Sequence, residues 1–161
     1  MKITNLILGI VFIGIIAFTG CKKKEGCIDQ LATNYCDDCK TDDESCEYDG
    51  SAVFYYRKTA ADSLQANNFL ILNFYVNGEV GNVNSASWIA ADYWTIAPSC
   101  DDENSITFNK NLGNVKTKSY SYSVKGYKYN ETDSSITGEI VIWNGNIDFK
   151  ANSCIGHELT W

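Results

Sequence analysis

The chain has 161 residues, 45% of them hydrophobic and 13% aromatic, with a single Pro and 20 acidic side chains against 13 basic ones. That length suits one modest globular domain with a short appendage, while the hydrophobic share is too high for a disordered chain and Pro too scarce for a stalk. Net charge is −7, and −8 once the first 20 residues with their single Lys are set aside, which excludes nucleic acid as the expected partner.

Met1-Lys2 is a positive start, Leu6 to Phe18 runs thirteen residues without a charge, and Phe18-Thr19-Gly20-Cys21 closes the stretch with small residues before a cysteine. The apolar run is long enough for export and short for a spanning helix, which needs roughly 20 residues. This pattern resembles a bacterial lipoprotein signal peptide with its lipobox. The resemblance implies that residues 1–20 are a signal peptide and that the Cys21 thiol receives a diacylglycerol with palmitate-type chains. Cys21 would then be the new N-terminus and the membrane anchor, placing the chain in a bacterial cell envelope, facing the periplasm or the cell surface. The competing reading is an uncleaved transmembrane anchor. Lys22, Lys23 and Lys24 would then sit in the cytoplasm and hold the rest of the chain inside, against the testimony of its cysteines.

Beyond Cys21, Cys27, Cys36, Cys39, Cys46, Cys100 and Cys154 make an even set, which in an exported chain reads as up to three disulfides with fifteen connectivities open. The preferred pairs are Cys27 with Cys46 around one local loop, Cys36 with Cys39, and Cys100 with Cys154 tying distant parts together. A four-thiolate zinc site at Cys27, Cys36, Cys39 and Cys46 is the rival, disfavoured by an oxidising compartment. Cys36-Asp37-Asp38-Cys39 has redox-motif spacing, yet two acids between the thiols oppose thiolate formation, so a structural bridge is expected.

From Glu25 to Asp49 there are nine acids and one base with almost no aliphatic residues, a stretch that needs its disulfides to hold a shape. Its residues Gly26-Cys27-Ile28-Asp29, Ala32-Thr33-Asn34-Tyr35 and Asp42-Asp43-Glu44-Ser45-Cys46-Glu47-Tyr48 resemble a short acidic repeat of bacterial surface and secreted proteins. That repeat reads Gly-Cys-x-Asp-Pro-x-Ala-x-Asn-Tyr and ends Asp-Asp-Gly-Ser-Cys-x-Tyr. Gln30 replaces its Pro, Glu44 replaces its Gly, and the Cys36–Cys39 pair is extra. Asp29, Asp37, Asp38, Asp42, Asp43 and Glu44 offer hard oxygen ligands for calcium within one disulfide loop, although the spacing does not match an EF-hand. The plainer expectation is a solvated acidic spacer, residues 21–50, holding the domain off the membrane.

Residues 51–161 are written in β-sheet language. Val53–Tyr56, Phe69–Val76, Ile106–Phe108, Ser119–Val124 and Ile136–Trp143 are rich in β-branched and aromatic residues and are separated by turn formers. Leu70, Leu72, Phe74 and Val76 are expected on one buried face. Asn77-Gly78 and Asn144-Gly145 carry the type I′ hairpin signal, and Thr59–Asn67 suggests a turn or two of helix. The expected fold is all-β, an antiparallel β-sandwich of immunoglobulin-like or jelly-roll layout, with a small β-barrel as the alternative.

Catalytic motifs are few. His157 is the single histidine, and Trp161 stands where a His-Glu-x-x-His zinc motif needs its second histidine; no Gly-x-Ser-x-Gly elbow or phosphate-binding glycine loop occurs. Trp88, Tyr93, Trp94 and Trp143 are candidates for stacking on sugar faces, with Asp92, Asn84 or Asn144 adding hydrogen bonds, against the more common use of such rings as core. The chain therefore reads as a non-catalytic cell-envelope lipoprotein. Its sandwich would bind a glycan or an adhesion target, or serve structurally with an envelope protein partner. The alternative is a glycosidase-like envelope hydrolase using paired carboxylates. Apart from calcium, no cofactor is implied.

Overall fold

The computed structural model describes residues 23–77, 79–80, 88–130, 132–136 and 138–161, leaving aside the side chains of residues 79, 80 and 88. In chain order the elements are β1 (Tyr48–Tyr56), α1 (Lys58–Ala66), β2 (Phe69–Val76), β3 (Glu79–Val80), β4 (Trp88–Ile89), β5 (Ile106–Gly113), β6 (Thr117–Asn130), β7 (Ser135–Ile136), β8 (Ile140–Lys150) and β9 (Cys154–Leu159). One sheet has the order β5-β1-β9; in the other, β3-β2-β6-β7 form a path, with β4 also paired to β2 and β8 to β6. The two sheets face each other as a sandwich and do not close into a barrel.

β1 is the middle of the smaller sheet, and Ala52, Val53, Phe54, Tyr55 and Tyr56 are all buried, as a continuous apolar run on a central strand predicts. Phe54 joins the layers: its ring lies 6.2 Å from Phe74 on β2 and 5.3 Å from Tyr122 on β6, and 5.5 Å from Phe108 within its own sheet. Burial of such a ring contributes up to about 3 kcal/mol. β1 and β9 run parallel, from Ser51 opposite Cys154 to Tyr56 opposite Leu159, so the sandwich is not antiparallel throughout. β9 was not expected from its short Cys-Ile-Gly-His-Glu-Leu segment.

Three local expectations change. Leu72, Phe74 and Val76 are buried together, but a register shift between Phe69 and Ile71 turns Phe69 inward and leaves Leu70 42% exposed. Asn77, with φ of 53°, begins the β2–β3 turn as expected, Gly78 lying outside the described residues. Asn144-Gly145 is not a turn: it lies inside β8, opposite Ser123 and Tyr122 of β6. Gly145 suits this place because a Cβ would lie only 3.0 Å from the Tyr122 ring, closer than ordinary contact. In the connection from β6 to β7, where Asn130 opposes Ser135, Asn130 accepts the Thr132 N–H and Asp133 accepts the Ser135 N–H. The expected 136–143 strand is split between β7 and β8. Where Val124 opposes Trp143 and Lys125 opposes Val141, the extra residue Ile142 makes a bulge, and both Ile142 and Trp143 pack against the core.

The acidic segment is docked rather than free. Cys27, Ala32 and Tyr48 belong to the same buried cluster as the sandwich core. Disulfides join Cys27 to Cys46, Cys36 to Cys39 and Cys100 to Cys154, the pairs preferred from the sequence. The repeat-like residues supply the internal frame. Asn34 donates to the Ser45 carbonyl at 2.6 Å and accepts the Glu47 N–H at 2.9 Å, while Tyr48 Oη donates to Asp29 at 2.8 Å. Lys116, between β5 and β6, lies 2.5 Å from the same Asp29 carboxylate and ties the segment to the sandwich.

Candidate functional site

The chain between β4 and β5 has no regular structure, so its shape comes from individual anchors. The Trp94 N–H donates to the Tyr56 carbonyl at 3.0 Å, and Arg57 donates to the Thr95 carbonyl. Ala90 and Pro98 are buried, and Asp102 folds the end of the segment by accepting the Ser99 N–H at 2.7 Å. The Cys100–Cys154 bridge fastens that end to β9. Together these anchors gather Ala91, Asp92, Tyr93, Trp94, Glu103 and Asn104 around one open groove of about 370 Å³.

Tyr93 is 42% exposed and Trp94 is half-buried. A planar ring beside two carboxylates and an amide has the ingredients of a sugar site: apolar stacking for one face of the ring, and acceptors and donors for hydroxyls. The expected candidates divide here. Tyr93, Trp94 and Asp92 meet in the groove. Trp143 instead packs 5.9 Å from Tyr56 and 6.0 Å from Trp161, its Nε1–H donating to the Thr160 carbonyl at 2.8 Å. Trp88 contributes its backbone to β4 opposite Leu72, its side chain lying outside the described residues, as do Asn84 and Cys21. Glu103 and Asn104 were not singled out from the sequence. The signal for them was the Ser-Cys-Asp-Asp-Glu-Asn turn cluster, folded back by its own cysteine.

No family model, curated protein or solved structure matches this chain. Its chemistry therefore has to be read from its own side chains.

The proposed calcium ligands do not converge. Asp29 is held by Lys116, the Leu31 N–H and Tyr48, which lower its pKa to about 2. Asp38 pairs with Lys24 at 2.6 Å, which holds its carboxyl below the usual range. Asp42 and Asp43 accept the N–H groups of Glu44 and Ser45, and Glu44 has a positive φ of 61° in that turn. Among the described residues, the one group of three metal-ligating side chains lying close together is Cys36, Asp38 and Cys39, and its two sulfurs are joined to each other. The acids of this loop thus act chiefly as turn and salt-bridge acceptors.

A second polar cluster escaped the sequence reading. On the outer face of the larger sheet, Glu139 accepts from Tyr75 at 2.5 Å, Asn73 at 3.0 Å, Tyr127 at 3.2 Å and Lys125 at 3.0 Å. These donors, Tyr75 foremost, hold the Glu139 pKa down at about 2, and the same hydrogen bond pushes Tyr75 up to about 12. Four donors on one carboxylate pin the segment between β7 and β8 to β2 and β6. His157 sits half-buried, its ring 4.7 Å from Tyr122 and 5.2 Å from Phe54, and burial lowers its pKa. That setting favours a neutral imidazole used in packing.

Proposed function

We propose that this chain is a cell-envelope lipoprotein, anchored through lipid on Cys21, whose β-sandwich binds glycan in the groove formed by residues 91–94, 103 and 104. The observation that carries the reading is the exposed Tyr93 ring placed beside Asp92, Glu103 and Asn104 in one groove. The length of the export signal and the even cysteine set support the envelope location. The docked acidic segment supports a short, firm mount between anchor and sandwich, since Asp29 and Lys116 hold it in place.

The test is a glycan-array screen of oxidised residues 22–161, with and without calcium, followed by titration of the best ligand into Tyr93→Ala. Binding by the parent chain is expected, with affinity falling about tenfold or more in the variant, equivalent to about 1.4 kcal/mol. Absence of binding to any glycan, or an unchanged affinity in Tyr93→Ala, refutes the reading.

The hydrolase alternative draws on one feature of the same groove, the presence of two carboxylates, Asp92 and Glu103, in its lining. It requires release of new reducing ends from a bound oligosaccharide, and loss of that release in Glu103→Gln. Binding without turnover leaves the non-catalytic module.

A further inference from the structure

We infer that the Cys100–Cys154 disulfide is a thiol-exchange site whose opening releases the 99–105 end of the segment that forms the groove. Of the three bridges, it is the one with an exposed residue: Cys154 is exposed and Cys100 half-buried, whereas Cys27 and Cys39 are buried in theirs. It also borders an open polar depression of about 510 Å³, lined by Asp49, Ser51, Cys100, Asp101, Asn109 and Cys154. A small thiol or a cysteine-bearing loop of a partner protein can approach the sulfurs there. Exchange is governed by that access and by the stability of the departing thiolate. Here the Cys100 N–H donates to Cys154 Sγ at 3.0 Å, so negative charge leaving on Cys154 meets a donor already in place.

The reductant is a dithiol. Its thiolate attacks Cys100 Sγ, the sulfur–sulfur bond breaks, and the bonding pair leaves on Cys154 Sγ, which takes a proton from water. The second thiol of the reductant, deprotonated, then displaces Cys100 from the mixed disulfide, and Cys100 is protonated in turn. Two electrons and two protons pass to the protein, and the dithiol becomes a disulfide.

The consequence is local because the bridge closes a local latch. Without it, the 100–105 end is held by hydrogen bonds from Ser105 and Thr107 hydroxyls to the Cys100 carbonyl and by the Asp102 turn, all exposed or half-buried. The six-residue β1–β9 pairing and the buried Leu159 do not depend on the bridge for their contacts. Reduction is therefore expected to loosen residues 99–105 and withdraw Glu103 and Asn104 from the groove, while residues 91–98 keep their own anchors and the sandwich stands.

The experiment is timed reduction of the oxidised chain by dithiothreitol, quenched with iodoacetamide and read by peptide mapping, with hydrogen exchange on the same samples. Alkylation of Cys100 and Cys154 at least tenfold faster than of the other four cysteines is expected. Faster amide exchange in residues 99–105, well beyond any rise in β1, β2 and β6, should accompany it. Earlier opening of either other bridge, reduction of all three at the rate of global unfolding, or unchanged exchange in 99–105 after selective reduction would each overturn the inference. Cys100→Ser with Cys154→Ser should show the same local exchange without reductant, and the wild-type series decides the matter if that variant does not fold. Thiols and amides are read here rather than a ligand, so the outcome is independent of the glycan reading.

Discussion

Gly126 shows how a single missing methyl group shapes this core. A Cβ at that position would lie 2.5 Å from Ile142 Cδ1 and 2.6 Å from the Phe69 ring, and both neighbours are present because of bulges, one in β2 and one in β8. Ile142 can rotate away but the Phe69 ring is hemmed in, so Gly126→Ala should cost about 1–3 kcal/mol in urea denaturation. Glu139 makes a pH-dependent contribution. Its pKa is about 2 when folded, against an ordinary value of 4.5, so the stability it supplies is fully present above pH 4.5 and disappears as pH falls through 2. Glu139→Gln should thus be less stable than the parent at pH 7, with the gap closing between pH 4.5 and 2 in pH-stepped thermal melts. The partner set was not legible in the sequence. Asn73, Tyr75, Lys125 and Tyr127 can be placed on outward positions by alternation, but which carboxylate reaches them depends on the β6–β8 register.

At the scale of elements, legibility followed the strength of the local pattern. β2 matches the expected Phe69–Val76 run, and α1 lies within a residue of the expected Thr59–Asn67, because alternation and helical spacing are properties of neighbours in the chain. β9 was missed because its placement comes from parallel pairing with β1, a contact about a hundred residues distant in sequence. Asn144-Gly145 misled because the same dipeptide that favours a turn also serves where a strand must pass beneath a ring. The disulfides act at this scale through the loops they close. Cys100 and Cys154 are 54 residues apart, so loss of that bridge should cost about 4 kcal/mol, whereas the Cys36–Cys39 bridge, with a separation of 3, should cost about 2. Urea midpoints of the two double-serine variants test the ranking; equal losses would mean that strain or residual structure outweighs loop closure.

Over the whole molecule, the acidic segment and the sandwich share one buried cluster, and the Asp29–Lys116 pair sits at their junction. Lys116→Ala should raise amide exchange in residues 25–47 while leaving β1, β2 and β6 protected, and acidification through pH 2 should loosen the same junction as Asp29 protonates. Cys21→Ala should leave an unacylated precursor of full length that still carries its apolar Leu6–Phe18 run, read by intact mass and by absence of lipid label. Composition, cysteine parity and periodicity were enough to determine an all-β sandwich, the β2 strand, the single helix and the bridged cysteines, because each depends on residue types and short spacings. The tertiary structure alone decided that Tyr93 and Glu103 line one groove while Trp143 packs against the edge of the core, and that the acids of the disulfide-bound segment disperse among separate partners. Such juxtapositions arise from register, bulges and sheet packing, which are set by the sum of distant contacts and leave no local mark on the chain.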